Sequence, residues 1–429
     1  MSILFLIYDF IFALGFILYL PIYIWRKKIT LAAFKEKLGL LKGLAIKDSI
    51  WIQVVSVGEA NLIGNLIDRL QEVYDYPIVI STTTLTGNKI AKAKYSHLGE
   101  VIFFPLDISF ILKKVLNLMK PKIFIAVETE IWPNLFRNLN EREIPIIIIN
   151  GRISDKAFRQ YRLIRPIIKK VINKCSYIGV QNKAYGERFV FLGAKKGKII
   201  ISGNMKFESI FVDQNKLLEI KKKYLPILKD KGEMLFVAAS THAPEEEIIL
   251  DVYEELYKTL GSFKLLLAPR HPERTYYLEK IVRAKGFNPV VTSQILNSSK
   301  DEKNVYIVDG VGELFYLYSI ADMCFVGGSF SEDGGHNILE PIYFLKPTIF
   351  GPHMENFRDI EEAVLEKGAG IKVRDKHDLN EVLLRLIKDE ALRNNLKGKC
   401  LEVFKKEKRG LEKNLQIILK VLGERITKV

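Results

Sequence analysis

The sequence predicts an α/β protein of two doubly wound halves behind an apolar N-terminal helix, and three observations carry that prediction. Short Ile- and Val-rich runs, apolar on both faces, alternate with helix-period segments, which is the pattern of buried parallel strands and their crossover helices. The alternation occurs twice, interrupted by a charged, Lys-rich stretch between residues 204 and 231. Ahead of both, Ile3–Trp25 carries a single charge, Asp9, in 23 residues. A length of 429 residues suits two domains of ordinary size, and a 48% hydrophobic content excludes a disordered chain. The three cysteines, Cys175, Cys324 and Cys400, lie far apart. That excludes a disulfide scaffold and a four-cysteine zinc site, and it fits a reducing compartment. The net charge of +15 favours an anionic partner: nucleic acid, an anionic membrane surface or a phosphorylated substrate.

As a helix, the N-terminal run would be about 34 Å long, against a hydrocarbon core of about 30 Å. Trp25 and the cluster Arg26, Lys27 and Lys28 follow it, and no basic residue precedes it. Tryptophan favours the headgroup level and basic residues the cytoplasmic side, so residues 1–28 are expected to be an anchor with the body in the cytoplasm. A span is the first reading. An embedded hairpin or in-plane helix is the second, because Asp9, Gly15 and Pro21 weaken a clean span. A cleaved signal peptide is disfavoured by the neutral start and the bulky Tyr, Ile and Trp at the end. The stretch from Thr30 to Gly39 reads equally as a basic amphipathic helix resting on headgroups or as a solvated surface helix.

In the first half, residues 50–55, 77–82, 100–104, 123–127, 144–149, 177–180 and 198–201 read as strands. Residues 60–73, 87–95, 108–119, 155–172 and 183–192 read as the helices between them. In the second half the strands are 234–239, 263–268, 288–291, 305–308, 323–326, 347–350 and 370–373, and the helices 245–260, 273–285, 312–320, 336–344, 356–366 and 379–396. The expected domains are 29–205 and 206–429, two Rossmann-like halves facing a cleft. Ligands of such sheets bind beyond the carboxyl ends of the strands, so the chemistry belongs in the loops that follow them.

Those loops carry charge. The first strand leads into Ser56-Val57-Gly58-Glu59 at a helix start, where Glu59 is either a cap favoured by the macrodipole or a general base; Gly58 allows close approach of another group. The fourth leads into Glu128-Thr129-Glu130-Ile131-Trp132-Pro133, two acids that either bind something or form an acidic first turn before Pro133. Asn150-Gly151-Arg152 after the fifth offers a guanidinium, equally readable as a surface arginine. In the second half, Pro269-Arg270-His271 makes a phosphate clamp. Asp309-Gly310-Val311-Gly312-Glu313, Gly327-Gly328-Ser329 and Gly334-Gly335-His336-Asn337-Ile338-Leu339-Glu340 mark glycine-rich helix starts, where amides can hold a phosphate and Glu340 a ribose. Together they point to a nucleotide. Ser240 and His242 do not sit in a nucleophile elbow. Walker A, H-E-x-x-H and kinase catalytic-loop sequences are absent, the six histidines are scattered, and the basic residues form no RNA-binding signature. Neither a metal site nor nucleic-acid binding is therefore expected.

These motifs, in this order over nearly the whole chain, resemble the 3-deoxy-D-manno-octulosonic acid (Kdo) transferases of the bacterial inner membrane. The resemblance is carried by Ser56-Val-Gly-Glu59, Thr82-Thr-Thr-Leu-Thr-Gly87, Glu128-Thr-Glu-Ile-Trp-Pro-Asn-Leu135, Asn150-Gly-Arg-Ile-Ser154, Gly203-Asn-Met-Lys-Phe207, Ser240-Thr-His242, Pro269-Arg-His-Pro-Glu-Arg274, Val326-Gly-Gly-Ser329 and Gly334-Gly-His-Asn-Ile-Leu-Glu-Pro341. It implies a GT-B glycosyltransferase that moves Kdo from CMP-Kdo to a lipid A precursor of the lipid IVA type, in lipopolysaccharide synthesis, with inversion and without a metal or cofactor. It implies that Glu59 is the general base, that Glu128 and Lys206 stabilise the transition state, and that Pro269, Arg270, Val311, Gly312, Glu313, Asn337, Ile338, Leu339 and Glu340 hold CMP. His271, Gly327, Gly328 and Ser329 join that nucleotide side from the residue reading, and Ser56, Gly58, Glu130 and Arg152 form the acceptor side. The implied partners are CMP-Kdo, the lipid A precursor and the inner-membrane lipid surface at its cytoplasmic face. Two departures stand out: Gln53 where many relatives have His, and Glu208 where Asp often follows Lys-Phe. The alternatives are another GT-B enzyme using a UDP-sugar on a lipid or cell-wall acceptor, and a non-enzymatic membrane-anchored protein that binds anions.

Overall fold

The structure is a computed structural model that describes residues 3–25, 30–41, 46, 48–229, 233–261, 263–298, 301–407 and 409–423. The basic cluster Arg26, Lys27 and Lys28 lies outside the described residues. The chain divides into two compact units, Met1–Ser209 with Glu407–Val429, and Ile210–Lys406.

The first unit is built on a seven-stranded parallel sheet: β1 (Ile50–Val54), β2 (Ile78–Thr82), β3 (Gly99–Phe103), β4 (Ile123–Val127), β5 (Ile146–Gly151), β6 (Tyr177–Val180) and β7 (Ile199–Ile201), in the order β3-β2-β1-β4-β5-β6-β7. β1, β2, β4 and β5 are buried at every position, because helices cover both faces, and this is why the strands read as unbroken apolar runs. The chain reverses its direction of travel across the sheet between β1 and β4, the switch point that opens a crevice at the carboxyl ends. Glu59 and Glu128 follow those two strands. The helix expected over 60–73 is two, Val57–Leu62 and Gly64–Gln71, and that over 155–172 is Asp155–Leu163 and Arg165–Ile172.

The second unit repeats the plan with β8 (Leu235–Thr241), β9 (Lys264–Pro269), β10 (Asn288–Val291), β11 (Asn304–Ile307), β12 (Met323–Val326), β13 (Thr348–Phe350) and β14 (Gly370–Lys372), ordered β10-β11-β9-β8-β12-β13-β14 and parallel throughout. Its switch point lies between β8 and β12. Two expected helices at this end are much shorter: 312–320 is a single turn, Leu314–Leu317, followed by a 3-10 turn, and 336–344 contracts to Leu339–Tyr343.

The last helix departs from the expected boundary of 206–429. Gly410–Leu422 belongs to the first unit, where it packs against β5 and β6 and Leu415, Ile417, Ile418 and Leu419 join the core. Asn414 enters between β5 and β6: its Oδ1 accepts from Asn150 N at 3.4 Å, and Gly179 leaves it room, since a Cβ there would stand 2.3 Å from that oxygen. Glu208, the departure from Asp, accepts the Leu411 amide at the start of this helix and so does structural work here.

Ile3–Trp25 forms the expected helix, and Ile3–Ile22 is long and apolar enough to cross a membrane. One face packs on the first unit. Phe5 is buried in its core, with Phe12 and Phe16 beside it. Asp9 accepts from Ser109 N at 2.9 Å and Asn134 Nδ2 at 2.7 Å, and Tyr8 donates to Asp107. The following helix, Leu31–Lys37, is capped by Thr30 but docks more deeply than a surface helix: Glu36 accepts from Phe103 N, and buried Lys37 donates to Thr83 O. Burial pulls the Lys37 ammonium down to about 8.

Candidate active site

In the first unit the acids converge at the switch point. Glu59 stands in the first turn of Val57–Leu62, and its carboxylate turns back on its own loop, accepting from Val55 N at 2.7 Å and Ser56 Oγ at 3.4 Å. Burial, and then the charges of Glu128 and Glu130, push its carboxyl up to about 8, more than the two hydrogen bonds lower it. Ser56 and Gly58 flank it, with Gly58 exposed.

Glu128 sits where β4 ends, at φ +59°, a left-handed conformation uncommon for a non-glycine residue. Its Oε1 lies 3.5 Å from Lys206 Nζ. Lys206 rides on the turn Met205–Glu208, which Asn150 fixes by accepting Met205 N at 2.9 Å; Asn150 is itself at φ +51°. The Asn-Gly-Arg segment therefore contributes through its asparagine, which positions the lysine. Arg152 is half-buried just past β5.

Glu130 is held from two sides, by Trp132 Nε1 at 2.8 Å and Gln53 Nε2 at 3.5 Å. Burial pushes it up to about 7 against those bonds. Gln53 is wholly buried, donates to Thr83 Oγ1 at 3.2 Å, and accepts from Ser81 Oγ, which in turn accepts from Trp51 Nε1 at 2.7 Å. The departure at Gln53 thus extends a polar chain from Trp51 to Glu130.

The second unit presents bases. Arg270 is exposed past β9, with its amide on Thr241 O at 3.0 Å. His242, absent from the expected site, stacks on His336 with Nε2 to Nε2 at 2.8 Å, meets the His271 ring edge-on, and has Asp333 3.5 Å from Nδ1. Burial, then His242 and Arg270, pull His336 down to about 4. The signal for His242 was its place after a strand in Ser240-Thr241-His242.

The glycine loops part company with expectation. Gly327 and Gly328 make room for protein groups, Glu245 at the first and the His336 ring at the second, and buried Glu245 accepts from Gly328 N at 2.7 Å, Ser329 N at 2.9 Å, Phe330 N at 2.8 Å and His242 N at 2.9 Å. A Cβ on Gly327 would lie 2.6 Å from its Oε2. The amides of Gly328 and Ser329 are therefore taken. Sequence reading missed Glu245; the three acids opening the helix Glu245–Leu260 were its signal.

Around the short helix starts, Val311 and Gly312 are exposed, and Gly312 has φ +91°. Glu313 accepts from Lys223 Nζ at 3.2 Å and Tyr224 Oη at 2.6 Å. Ile338 and Leu339 are buried, and Leu339 N is satisfied by Asn337 Oδ1. Asn337 also donates to Glu340 Oε1 at 3.1 Å, while burial pushes Glu340 up to about 7. Pro269 closes β9. Among the described residues, one group of three has its possible ligand atoms within 4.8 Å of one another: His377, Asp378 and Glu381 on the helix Lys376–Lys388. Asp378 already pairs with Arg374 at 2.6 Å, and the group lies outside the strand-end loops.

Two parallel, doubly wound seven-stranded units form a GT-B-type α/β fold. The sequence profile of the family described as 3-deoxy-D-manno-octulosonic-acid transferase (kdotransferase) matches residues 32–209. The transferase of Haemophilus influenzae is 33% identical over 375 residues, 86% of either chain, and that of Rickettsia bellii is 32% identical over 421 residues, 95% of this chain and 98% of its own. The chain belongs to the 3-deoxy-D-manno-octulosonic acid transferase family. A bifunctional glycosyltransferase/methyltransferase of Fusobacterium nucleatum is 38% identical over 332 residues; the match spans 77% of this chain and 51% of that longer protein. Among solved structures, UDP-GlcNAc 2-epimerase from Neisseria meningitidis covers 87% of this chain with a TM-score of 0.59 at 13% identity. S. aureus MnaA covers 89% with a TM-score of 0.57 at 14% identity. At that identity they share the fold.

Proposed function

We propose that this chain transfers Kdo from CMP-Kdo to a lipid A precursor of the lipid IVA type, with inversion at the anomeric carbon and no metal. Membership of the Kdo transferase family supports the donor, and the observation that carries the mechanism is Glu59 at the end of β1, its half-buried carboxylate accepting from Val55 N at 2.7 Å and pushed up to about 8 by burial and the charges of Glu128 and Glu130. A general base works best with its pKa near the operating pH. In the proposed step the acceptor hydroxyl oxygen bonds to the anomeric carbon while the bond from that carbon to the phosphate oxygen breaks. The hydroxyl proton goes to Glu59, and CMP leaves with the electron pair. Lys206, beside Glu128, offsets negative charge developing near the acids. The first unit supplies the base and the acceptor-side groups Ser56, Gly58, Glu130 and Arg152. The second holds CMP through Pro269, Arg270, His271, the exposed Val311-Gly312 turn, Glu313 and the Asn337–Glu340 segment. Gly327, Gly328 and Ser329 contribute by shaping that loop around Glu245.

The test is incubation with CMP-Kdo and a tetraacyl lipid A precursor, followed by mass spectrometry. The expected result is product heavier by whole Kdo residues and its loss in Glu59→Gln. No product from CMP-Kdo, with turnover of a UDP-sugar instead, overturns the donor assignment. CMP and UDP competing for the free enzyme gives the same answer by binding.

A further inference from the structure

We infer that the helix Ile3–Trp25 lies along the membrane surface, clamped to the first unit by one face and facing lipid with the other, and does not cross the bilayer. The inference concerns how the proposed membrane-borne acceptor is reached, and it rests on that reading only for its purpose.

The contacts fall at Phe5, Tyr8, Asp9, Phe12 and Phe16, a spacing that keeps them on one side of a helix. Arg137 stacks over Phe5 with its guanidinium carbon 4.9 Å from the ring centre, Phe12 meets Trp132 edge-on, and Phe16 stacks on Phe34. The exposed residues Ile3, Ile7, Phe10, Ile11, Ile17 and Leu18 occupy the other side. With 3.6 residues per turn, the two sets centre about 180° apart. The outward stripe carries no charge and ends at exposed Trp25, after which the sequence continues Arg26-Lys27-Lys28. An apolar stripe with a basic end fits an anionic lipid surface.

The clamped stretch rules against a span. From Phe5 to Phe16 the helix runs about 18 Å along the body, and residues 17–25 add about 13 Å, less than half of a hydrocarbon core of about 30 Å. Inserting the clamped part would carry Asp107, Ser109, Asn134 and Arg137 into hydrocarbon or strip Asp9 of its partners, and either is costly for buried charge.

The test is a depth profile. Nitroxide labels are placed singly at Ile3→Cys, Ile11→Cys and Leu18→Cys in the full chain; the native cysteines are buried. The protein is bound to vesicles of phosphatidylethanolamine with phosphatidylglycerol, without donor or acceptor. All three labels are expected at one shallow depth, roughly 5–10 Å below the headgroups. A depth that increases by about 12 Å from Ile3 to Ile11, as a span requires, overturns the inference. So do labels that remain in water, and so does spin–spin coupling between copies, which would assign the stripe to a second chain. None of these outcomes bears on sugar transfer, which the mass-spectrometric assay reads independently.

Discussion

The carboxyl ends of the two sheets solve opposite problems. In the first unit, Glu59, Glu128 and Glu130 crowd at the β1–β4 switch with Lys206 beside Glu128, and their loops leave two carboxyls near neutrality. In the second, at the β8–β12 switch, Glu340 is raised by burial without another acid beside it, and the acid that opens the helix after β8, where Glu59 stands after β1, is Glu245. It is wholly buried and spent on four backbone amides, while Arg270 and a histidine cluster remain near the surface. A carboxylate that satisfies amides builds a loop; a carboxylate pressed against other carboxylates is held ready to take a proton. The same residue type at equivalent points of one fold thus does structural work in one unit and proposed chemical work in the other.

The largest effect that tests this contrast is Glu245→Ala. It orphans four amides, three of them in the Gly327–Phe330 loop, at roughly 1–3 kcal/mol for each that stays dry. Thermal melting should show the second unit destabilised by about 4 kcal/mol or more, and a near-normal melt would mean that water replaces the carboxylate. Next is Glu59→Gln, for which turnover should fall 10²–10⁴-fold, the usual worth of a general base, with CMP affinity unchanged by calorimetry. The same variant has a pH signature. The native carboxyl, raised to about 8 from an ordinary value of 4.5, lets the folded state bind more protons than the unfolded state between those values. Its stabilising contribution is therefore present below about 4.5 and lost as pH rises through 8. Relative to the native chain, Glu59→Gln should melt progressively higher from pH 5 to pH 9, while the native rate climbs over pH 6–8 as the base ionises. A flat difference in melting would remove the burial argument. Arg270→Ala should weaken CMP binding about 10–100-fold, the worth of a charged hydrogen bond. The smallest effect is Trp132→Phe, which removes one donor from Glu130. Its titration, followed by carboxyl NMR, should move further up, with a change in turnover of only a few-fold.

Much of this was legible in sequence. The strands are buried on both faces, so unbroken runs such as Ile123–Val127 announced themselves, and their order placed Glu59 and Glu128 at strand ends. Three features resisted. Glycine reports that something comes close but not what, so Gly327 and Gly328 read as a ligand's loop when the close groups are Glu245 at Gly327 and the His336 ring at Gly328. The amphipathic helix Gly410–Leu422 shows an apolar face without naming the sheet it covers; that choice rests on Asn414 meeting Asn150, 264 residues away in sequence. Asp9 read as a blemish in an apolar run because its partners Ser109 and Asn134 lie 100 and 125 residues downstream.

Those partners give the N-terminal helix a second identity. The helices Ser109–Met119 and Pro133–Glu141 begin at Ile108 and Trp132, neither of which caps its own helix with a side chain. Asp9 accepts the Ser109 amide, and Asp107, held by Tyr8, accepts those of Asn134 and Leu135. The apolar leader therefore caps one helix start itself, through Asp9 and worth about 1 kcal/mol, and steadies the capping Asp107 of the other through Tyr8. It also seats Phe12 against Trp132, the donor to Glu130. Trimming the chain to residue 30 for solubility would cut away scaffolding that reaches to within two side chains of the acid cluster.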